Sequence, residues 1–186
     1  MLNSIKVLFS ILFISTFIYS QDVAPIVANP IADITANEDA SNTTIDLTSV
    51  FTDIDNDDSA ITKAVQSNSN SSLVSASISG NTLTLDYESN QNGSATITVR
   101  GTSNGLTVDD EFTITINPIA DTPNITDAET DEDVMSSSGL VITRNAVDSE
   151  EVTHFKITGI TNGTLYQNNG STSITNNELI TFTEGN

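Results

Sequence analysis

Four aspartates, Asp53, Asp55, Asp57 and Asp58, fall within six positions of the stretch Phe51-Thr-Asp-Ile-Asp-Asn-Asp-Asp58. Carboxylates that close repel one another unless a positive charge sits among them. Calcium (Ca2+) suits the need: it is a hard cation that takes about six to eight oxygens, and short acidic loops offer several at once. The alternation of Asp53, Asp55 and Asp57 fits such a loop. The EF-hand pattern does not apply, because the sixth loop position is Asp58 instead of glycine and the twelfth is Ala64 instead of glutamate. Further ligands must then come from elsewhere in the chain, and Glu38 and Asp39 are the expected co-ligands. The competing reading is a solvated turn whose aspartates cap backbone N–H groups. A second dense run, Asp109-Asp-Glu111, reads either as more ligands or as a charged strand edge.

Other chemistries have less to stand on. His154 is the single histidine and lies in an apolar-alternating run, where it reads as a strand-surface residue and not as part of a Ser-His-Asp set. Paired carboxylates for glycoside hydrolysis would want an aromatic sugar platform, and aromatics make up only 5% of the chain. Cysteine is absent, which removes disulfides and Cys/His zinc spacing alike. No glycine-rich loop with phosphate-cradling spacing occurs. The chain is therefore expected to be non-enzymatic.

Charge narrows the partners. Five Lys plus Arg stand against 25 Asp plus Glu, a net charge of −20. That field disfavours nucleic acid and anionic membrane surfaces and favours cations. Small domains are marginal in stability and often need a staple beyond their core. With disulfides excluded, bound metal is the staple left.

The elements that must position these residues are short strands. Ile45 and Leu47 share a face in Thr43 to Leu47, and Val50-Phe51 leads into the acidic loop. Further strands are expected at Ile61 to Val65, Leu73 to Ser79, Thr82 to Tyr87, Ala95 to Thr102 and Leu106 to Ile116. Ser79-Gly-Asn81 and Ser103-Asn-Gly105 between them read as hairpin turns. Leu83, Leu85, Tyr87, Ile97, Val99, Phe112, Ile114 and Ile116 point inward, with threonines opposite them on the solvated face. Short strands with turns every eight to twelve residues or so indicate an immunoglobulin-like sandwich.

The domain limits follow from composition. Lys6 and the apolar run Val7 to Tyr19 read as a secretory signal peptide over residues 1–20, too short for a comfortable membrane span. A first domain covers 21–118, opening on an extended lead-in from Asp22 to Pro30. Asn117-Pro-Ile-Ala-Asp-Thr-Pro123 reads as a stiff linker. A second, shorter unit covers 119–186, with strands expected at Leu140 to Thr143, Val152 to Ile157, Thr164 to Tyr166 and Leu179 to Phe182. The letters Asn-Pro-Ile-Ala-Asp recur at 29 and 117, and Pro25 and Pro123 each precede an acidic pair, Glu38-Asp39 and Glu132-Asp133. This repetition points to tandem domains. The second unit is expected to be incomplete, and the chain the N-terminal piece of a longer protein.

The run Pro25, Glu38-Asp39, Phe51-Thr-Asp-Ile-Asp55, Gly80-Asn-Thr-Leu-Thr-Leu85, Gly93-Ser-Ala-Thr-Ile-Thr-Val99 and Phe112-Thr-Ile-Thr-Ile-Asn-Pro118 resembles the cadherin-like, immunoglobulin-like tandem repeats of large bacterial surface proteins. Val152-Thr-His-Phe-Lys-Ile-Thr-Gly-Ile160 is similar to a sister repeat. The resemblance implies an all-β fold of tandem Greek-key β-sandwiches, the second incomplete, with calcium at the domain ends and a role in adhesion or as a stalk. On it, Glu38, Asp53 and Asp55 match the family's acidic positions, and Glu132, Asp148 and Glu151 are weaker matches in the second unit. At the linker only Asn117 and Asp121 remain of the animal cadherin cluster. The metal candidates are thus Glu38, Asp39, Asp53, Asp55, Asp57, Asp121, Glu132 and Asp148. The expected partners are other surface proteins or glycans and adjacent repeats of the same chain, with no nucleic acid and no membrane span after signal cleavage. The alternative is an ancillary domain of a larger secreted enzyme whose catalytic part lies beyond Asn186.

Overall fold

The structure, a computed structural model, describes residues 21–136, 139–148 and 150–182. The expected signal peptide at 1–20 lies outside the described residues. Among the described residues no helix is long and apolar enough to cross a membrane.

The fold is all-β. The first unit holds nine strands: β1 (Ile26–Val27), β2 (Ile34–Asn37), β3 (Thr43–Asp46), β4 (Phe51–Thr52), β5 (Thr62–Asn68), β6 (Val74–Ser79), β7 (Thr82–Tyr87), β8 (Gly93–Ser103) and β9 (Leu106–Asn117). One sheet has the order β2-β9-β8-β5, the other β3-β7-β6, and β1 pairs with β4. Leu83, Leu85 and Tyr87 from the second sheet share one buried cluster with Ala95, Ile97, Val99, Phe112, Ile114 and Ile116 from the first. The two sheets therefore pack face to face, as period-two alternation requires when each sheet has one apolar face. The inward residues read from the sequence are all buried, and Leu47 and Phe51 join them.

The long β8–β9 hairpin is the spine. Its turn needs two residues at positive φ, and Asn104 (44°) and Gly105 (87°) supply them between the paired Ser103 and Leu106. Gly101 in β8 lies under the Phe51 ring, where a Cβ would stand 2.8 Å from the ring Cγ. β4, and the acidic loop that follows it, are pressed onto the spine at that point.

Two strands escaped the sequence reading. β2 runs parallel to β9 in the register Ile34 to Ile114 and Asn37 to Asn117, and β1 lies within what reads as an extended lead-in. Both are short, and Thr and Asn dilute the alternation of β2. Long-range pairing decides them, not local pattern.

The second unit holds β10 (Asn124–Ile125), β11 (Ile142–Thr143), β12 (His154–Lys156), β13 (Leu165–Tyr166), β14 (Ser173–Ile174) and β15 (Leu179–Thr181). They form three two-stranded ladders, β10-β11, β12-β15 and β13-β14. Four of them sit inside the expected runs; β10 and β14 were not expected. The core is thin, with Phe155, Ile174 and Ile180 buried. Phe182 packs on Phe155 with ring centroids 6.1 Å apart, and the Arg144 guanidinium lies 4.0 Å above the Phe182 ring.

Candidate cation sites at the two ends of the first unit

The acidic loop sits at the end of the spine that carries the β8–β9 turn. Asp53 is buried beside it, 8% exposed, and Asp53 Oδ1 accepts from the Asp55 and Asn56 N–H groups at 2.8 and 3.1 Å. Asp53 Oδ2 is buried with no hydrogen-bond partner. The nearby Ser103 hydroxyl, though outside hydrogen-bond geometry, together with the Asp55 and Asn56 amides holds the Asp53 carboxyl below the usual carboxylate range. Asp55 Oδ2 accepts from the Val23 N–H at 2.9 Å. The Asp22 carboxylate is gripped by two amides, Asn56 Nδ2 at 2.9 Å and Asn104 Nδ2 at 2.7 Å.

Asp57 and Asp58 behave as turn residues. Asp57 caps the short 3-10 turn Asp58–Ala60 by accepting from the Ser59 N–H at 2.8 Å, which lowers its pKa. Asp58 Oδ1 accepts from the Asp53 N–H at 2.8 Å, and its carboxylate also takes the Thr52 hydroxyl. The turn-capping reading of the loop holds at these two aspartates. Asp57 and Asp58 cap backbone, Asp22 and Asp55 accept from amides, and Asp53 keeps a buried oxygen without a hydrogen-bond partner.

Glu38 and Asp39 do not reach this loop, contrary to expectation. The Glu38 N–H donates to the Asn117 carbonyl at 2.9 Å, at the far end of β9. β8 runs 11 residues from that end to the loop end, which is roughly 35 Å of extended strand. β2 pairs in parallel with β9, and that pairing carries Glu38 to the opposite end.

There Glu38 and Asp39 meet the second unit. They occupy a turn closed by the Ala40 N–H on the Asn37 carbonyl, with Asp39 at φ 59°. Glu38 is 5% exposed and accepts from the Ile119 N–H; Asp39 Oδ1 accepts from the Asn90 N–H at 3.0 Å. From the second unit Asp148, 1% exposed, accepts from the Asp121 N–H at 2.8 Å. Glu151 Oε2 accepts from Asn92 Nδ2 at 2.6 Å. Burial raises the Asp121 pKa, as do the neighbouring carboxylates Asp148, Asp39 and Glu38. Burial likewise raises that of Glu151, followed by Glu38, with Asp148 and Asp121 adding to it against the Asn92 hydrogen bond. Every charge contribution at Asp121 comes from a carboxylate.

The structure therefore assembles Glu38, Asp39, Asp121 and Asp148 at the unit boundary, together with Glu151, one of the weaker matches of the second unit. It places Asp53, Asp55 and Asp57 at the other end. Glu132 joins neither set and lies exposed in the second unit. Asp22 and Asn92 escaped the sequence reading. Asp22 had a signal, since it precedes Pro25 much as Asp121 precedes Pro123. Among the described residues no three acidic side chains converge within coordination range of one point. The donor set is nonetheless all hard oxygen, and the orphaned Asp53 Oδ2 and the mutually repelling boundary carboxylates fit a hard divalent cation.

The remaining candidates are structural. Arg100 holds Asp109 in a two-pronged ion pair, Nε and Nη2 each at 2.7 Å from a carboxylate oxygen. Asp110 is buried and takes the Ile31 N–H at 2.8 Å, tying the segment before β2 to β9. His154 is exposed on β12, with Nδ1 2.9 Å from the Thr153 hydroxyl.

No protein-family profile and no curated protein matches the chain. Among solved structures it is similar to two endo-fucoidan hydrolases from glycoside hydrolase family 107. MfFcnA4 matches over 57% of this chain and 15% of its own, at 23% identity and a TM-score of 0.39. MfFcnA9 matches over 54% of this chain and 17% of its own, at 21% identity and a TM-score of 0.37. The chain thus spans less than a fifth of the length of these structures.

Proposed function

We propose that the chain is a calcium-binding, non-enzymatic adhesion or stalk module of a secreted or cell-surface protein, a relative of the cadherin-like tandem repeats. The observation that carries this reading is the boundary between its two units. Carboxylates from the first unit (Glu38, Asp39) and the second unit (Asp148) gather there around Asp121 of the linker and Glu151, whose pKa values burial and these neighbours raise.

Glu38, Asp121, Asp148 and Glu151 would hold an ion at the boundary, and Asp22, Asp53 and Asp55 one at the opposite end. Bound calcium would supply a countercharge to these carboxylates. The chain's own residues do the rest. Glu38 reaches across to the Ile119 N–H, and Asp148 to the Asp121 N–H. Neutralising the carboxylates favours the arrangement in which those two bonds hold together, and so stiffens the junction. At ten times its dissociation constant each ion adds about 1.4 kcal/mol. That is a large share for a unit whose core is as thin as the second one.

Isothermal calorimetry and thermal melts in EDTA and in calcium test the reading. Heat of binding and a higher midpoint in calcium are expected. A flat titration with superimposed melts would overturn it.

A further inference from the structure

We propose that Asn162 is a site of spontaneous covalent modification, where the chain deamidates to aspartate and isoaspartate ahead of its other Asn-Gly steps. The proposal does not depend on calcium.

The sequence holds four Asn-Gly pairs: Asn92-Gly93, Asn104-Gly105, Asn162-Gly163 and Asn169-Gly170. In such a pair the glycine backbone nitrogen, having given its proton to base, attacks the asparagine Cγ. A C–N bond forms, the Cγ–Nδ2 bond breaks, and Nδ2 leaves as ammonia. The succinimide ring that results then takes up water. Opening at the side-chain carbonyl gives aspartate. Opening at the backbone carbonyl gives isoaspartate, in which the chain runs on through Cγ. Two conditions govern the rate. The asparagine side chain must be free to swing over the following peptide, and the glycine nitrogen must be free to attack. Glycine assists because it has no Cβ in the way.

Three of the pairs are held. Asn92 Nδ2 donates to Glu151 Oε2 at 2.6 Å, and Gly93 lies in the β8–β9 ladder opposite Ile116. Asn104 Nδ2 donates to Asp22 Oδ2 at 2.7 Å from the tight turn between Ser103 and Leu106. Asn169 is the most restrained. Its Oδ1 accepts from the Ser171 and Thr172 N–H groups, both at 2.9 Å, and its Nδ2 donates to the Thr172 hydroxyl at 2.8 Å. The nucleophile is tied as well, since the Gly170 N–H donates to the Gln167 carbonyl at 2.8 Å.

Asn162 has neither restraint. Among the described residues, its side-chain amide and the Gly163 N–H make no hydrogen bond. Both residues are exposed, in the connection from β12 to β13. Apart from its chain neighbours, nothing lies within 4 Å of the Gly163 Cβ position, so the side chain has room to swing. Either product adds a carboxylate to a chain already at −20, and isoaspartate lengthens the connection by a methylene. At Asn92 or Asn104 the same change would set a carboxylate against Glu151 or Asp22. The hydrogen bonds that grip those two amides therefore also guard them.

Peptide mapping by mass spectrometry, on the folded protein and on the protein in guanidinium chloride during incubation at mildly alkaline pH, tests this. Exchange of NH2 for OH raises the peptide mass, and chromatography separates isoaspartate from aspartate. In denaturant the four sites should react at similar rates. On folding, Asn162 should keep its denatured rate, while Asn92, Asn104 and Asn169 slow by about tenfold or more, because their contacts must open before attack. Gly163→Ala, whose added methyl meets open space, should slow the step at Asn162 and leave the melt unchanged. An Asn162 protected by folding as much as the other three overturns the proposal, and so does any of those three reacting first. Deamidation of the Gly163→Ala protein at the parent's rate would also overturn it, since the Gly163 nitrogen would then not be the nucleophile.

Discussion

Asp148 Oδ1 accepts a 2.8 Å hydrogen bond from the backbone N–H of Asp121, so a buried acid of the second unit is fixed by the linker that leaves the first. The bond needs an acceptor oxygen but not a charge. Asparagine offers the same oxygen.

Replacing Asp148 with asparagine therefore separates geometry from charge. In EDTA the Asp148→Asn variant should melt no lower than the parent protein, because one of the carboxylates that raises Asp121 is gone. In calcium it should lose most of the upward shift, about 1.4 kcal/mol per ion at ten times the dissociation constant. Paired melts check both halves of the statement. A variant that melts lower in EDTA and still gains fully from calcium would assign Asp148 to packing.

The spine predicts a different sensitivity. A Cβ at Gly101 would stand 2.8 to 3.1 Å from three carbons of the Phe51 ring. The ring is fully buried and cannot swing away. Gly101→Ala should cost about 1–3 kcal/mol by overpacking, read as a lower urea midpoint with unchanged slope. Gly163→Ala is the control: nothing lies within 4 Å of its Cβ position, and a change within about 0.5 kcal/mol is expected. Equal losses at the two glycines would refute the close-contact account.

How much of this was legible in the sequence differs between the fold and the site. Alternation in Thr82 to Tyr87 and Leu106 to Ile116 named the inward residues, because a half-buried strand has no other way to sort its side chains. Asn104-Gly105 gave the turn, because two successive positive φ values leave few residue choices. β2 was not legible: four residues of mixed polarity become a strand only through parallel pairing with β9. The same pairing hid the site. Glu38 and Asp53 are 15 positions apart in sequence, and nothing local says that β2 sends Glu38 along β9 to the other end of the sandwich. The boundary set was half visible through the repeated acidic pair and the linker aspartate. Glu151 was named only as a weak match, and its partner Asn92 depends on how the units meet, which no local pattern encodes.

Acid should reveal the surface ion pair of the spine. Arg100 lies opposite Asp109 across the β8–β9 ladder, and the two side chains meet in a two-pronged contact. The Arg100 guanidinium holds the Asp109 carboxyl below the usual carboxylate range. A depressed folded pKa means that the unfolded chain binds the proton more readily. The pair's contribution is therefore fully present above the ordinary aspartate value of about 3.9 and disappears as pH falls through the lower folded value. Both side chains are partly exposed, so the contribution is small and salt weakens it. The Asp109→Asn variant should thus have a lower urea midpoint than the parent at neutral pH, and the gap should narrow as pH falls below the ordinary aspartate value of about 3.9 and through the lower folded value. Comparing the two proteins at each pH cancels the titration of the other carboxylates. A gap that stays constant from neutral to acid would mean that shape, not charge, holds Arg100 and Asp109 together.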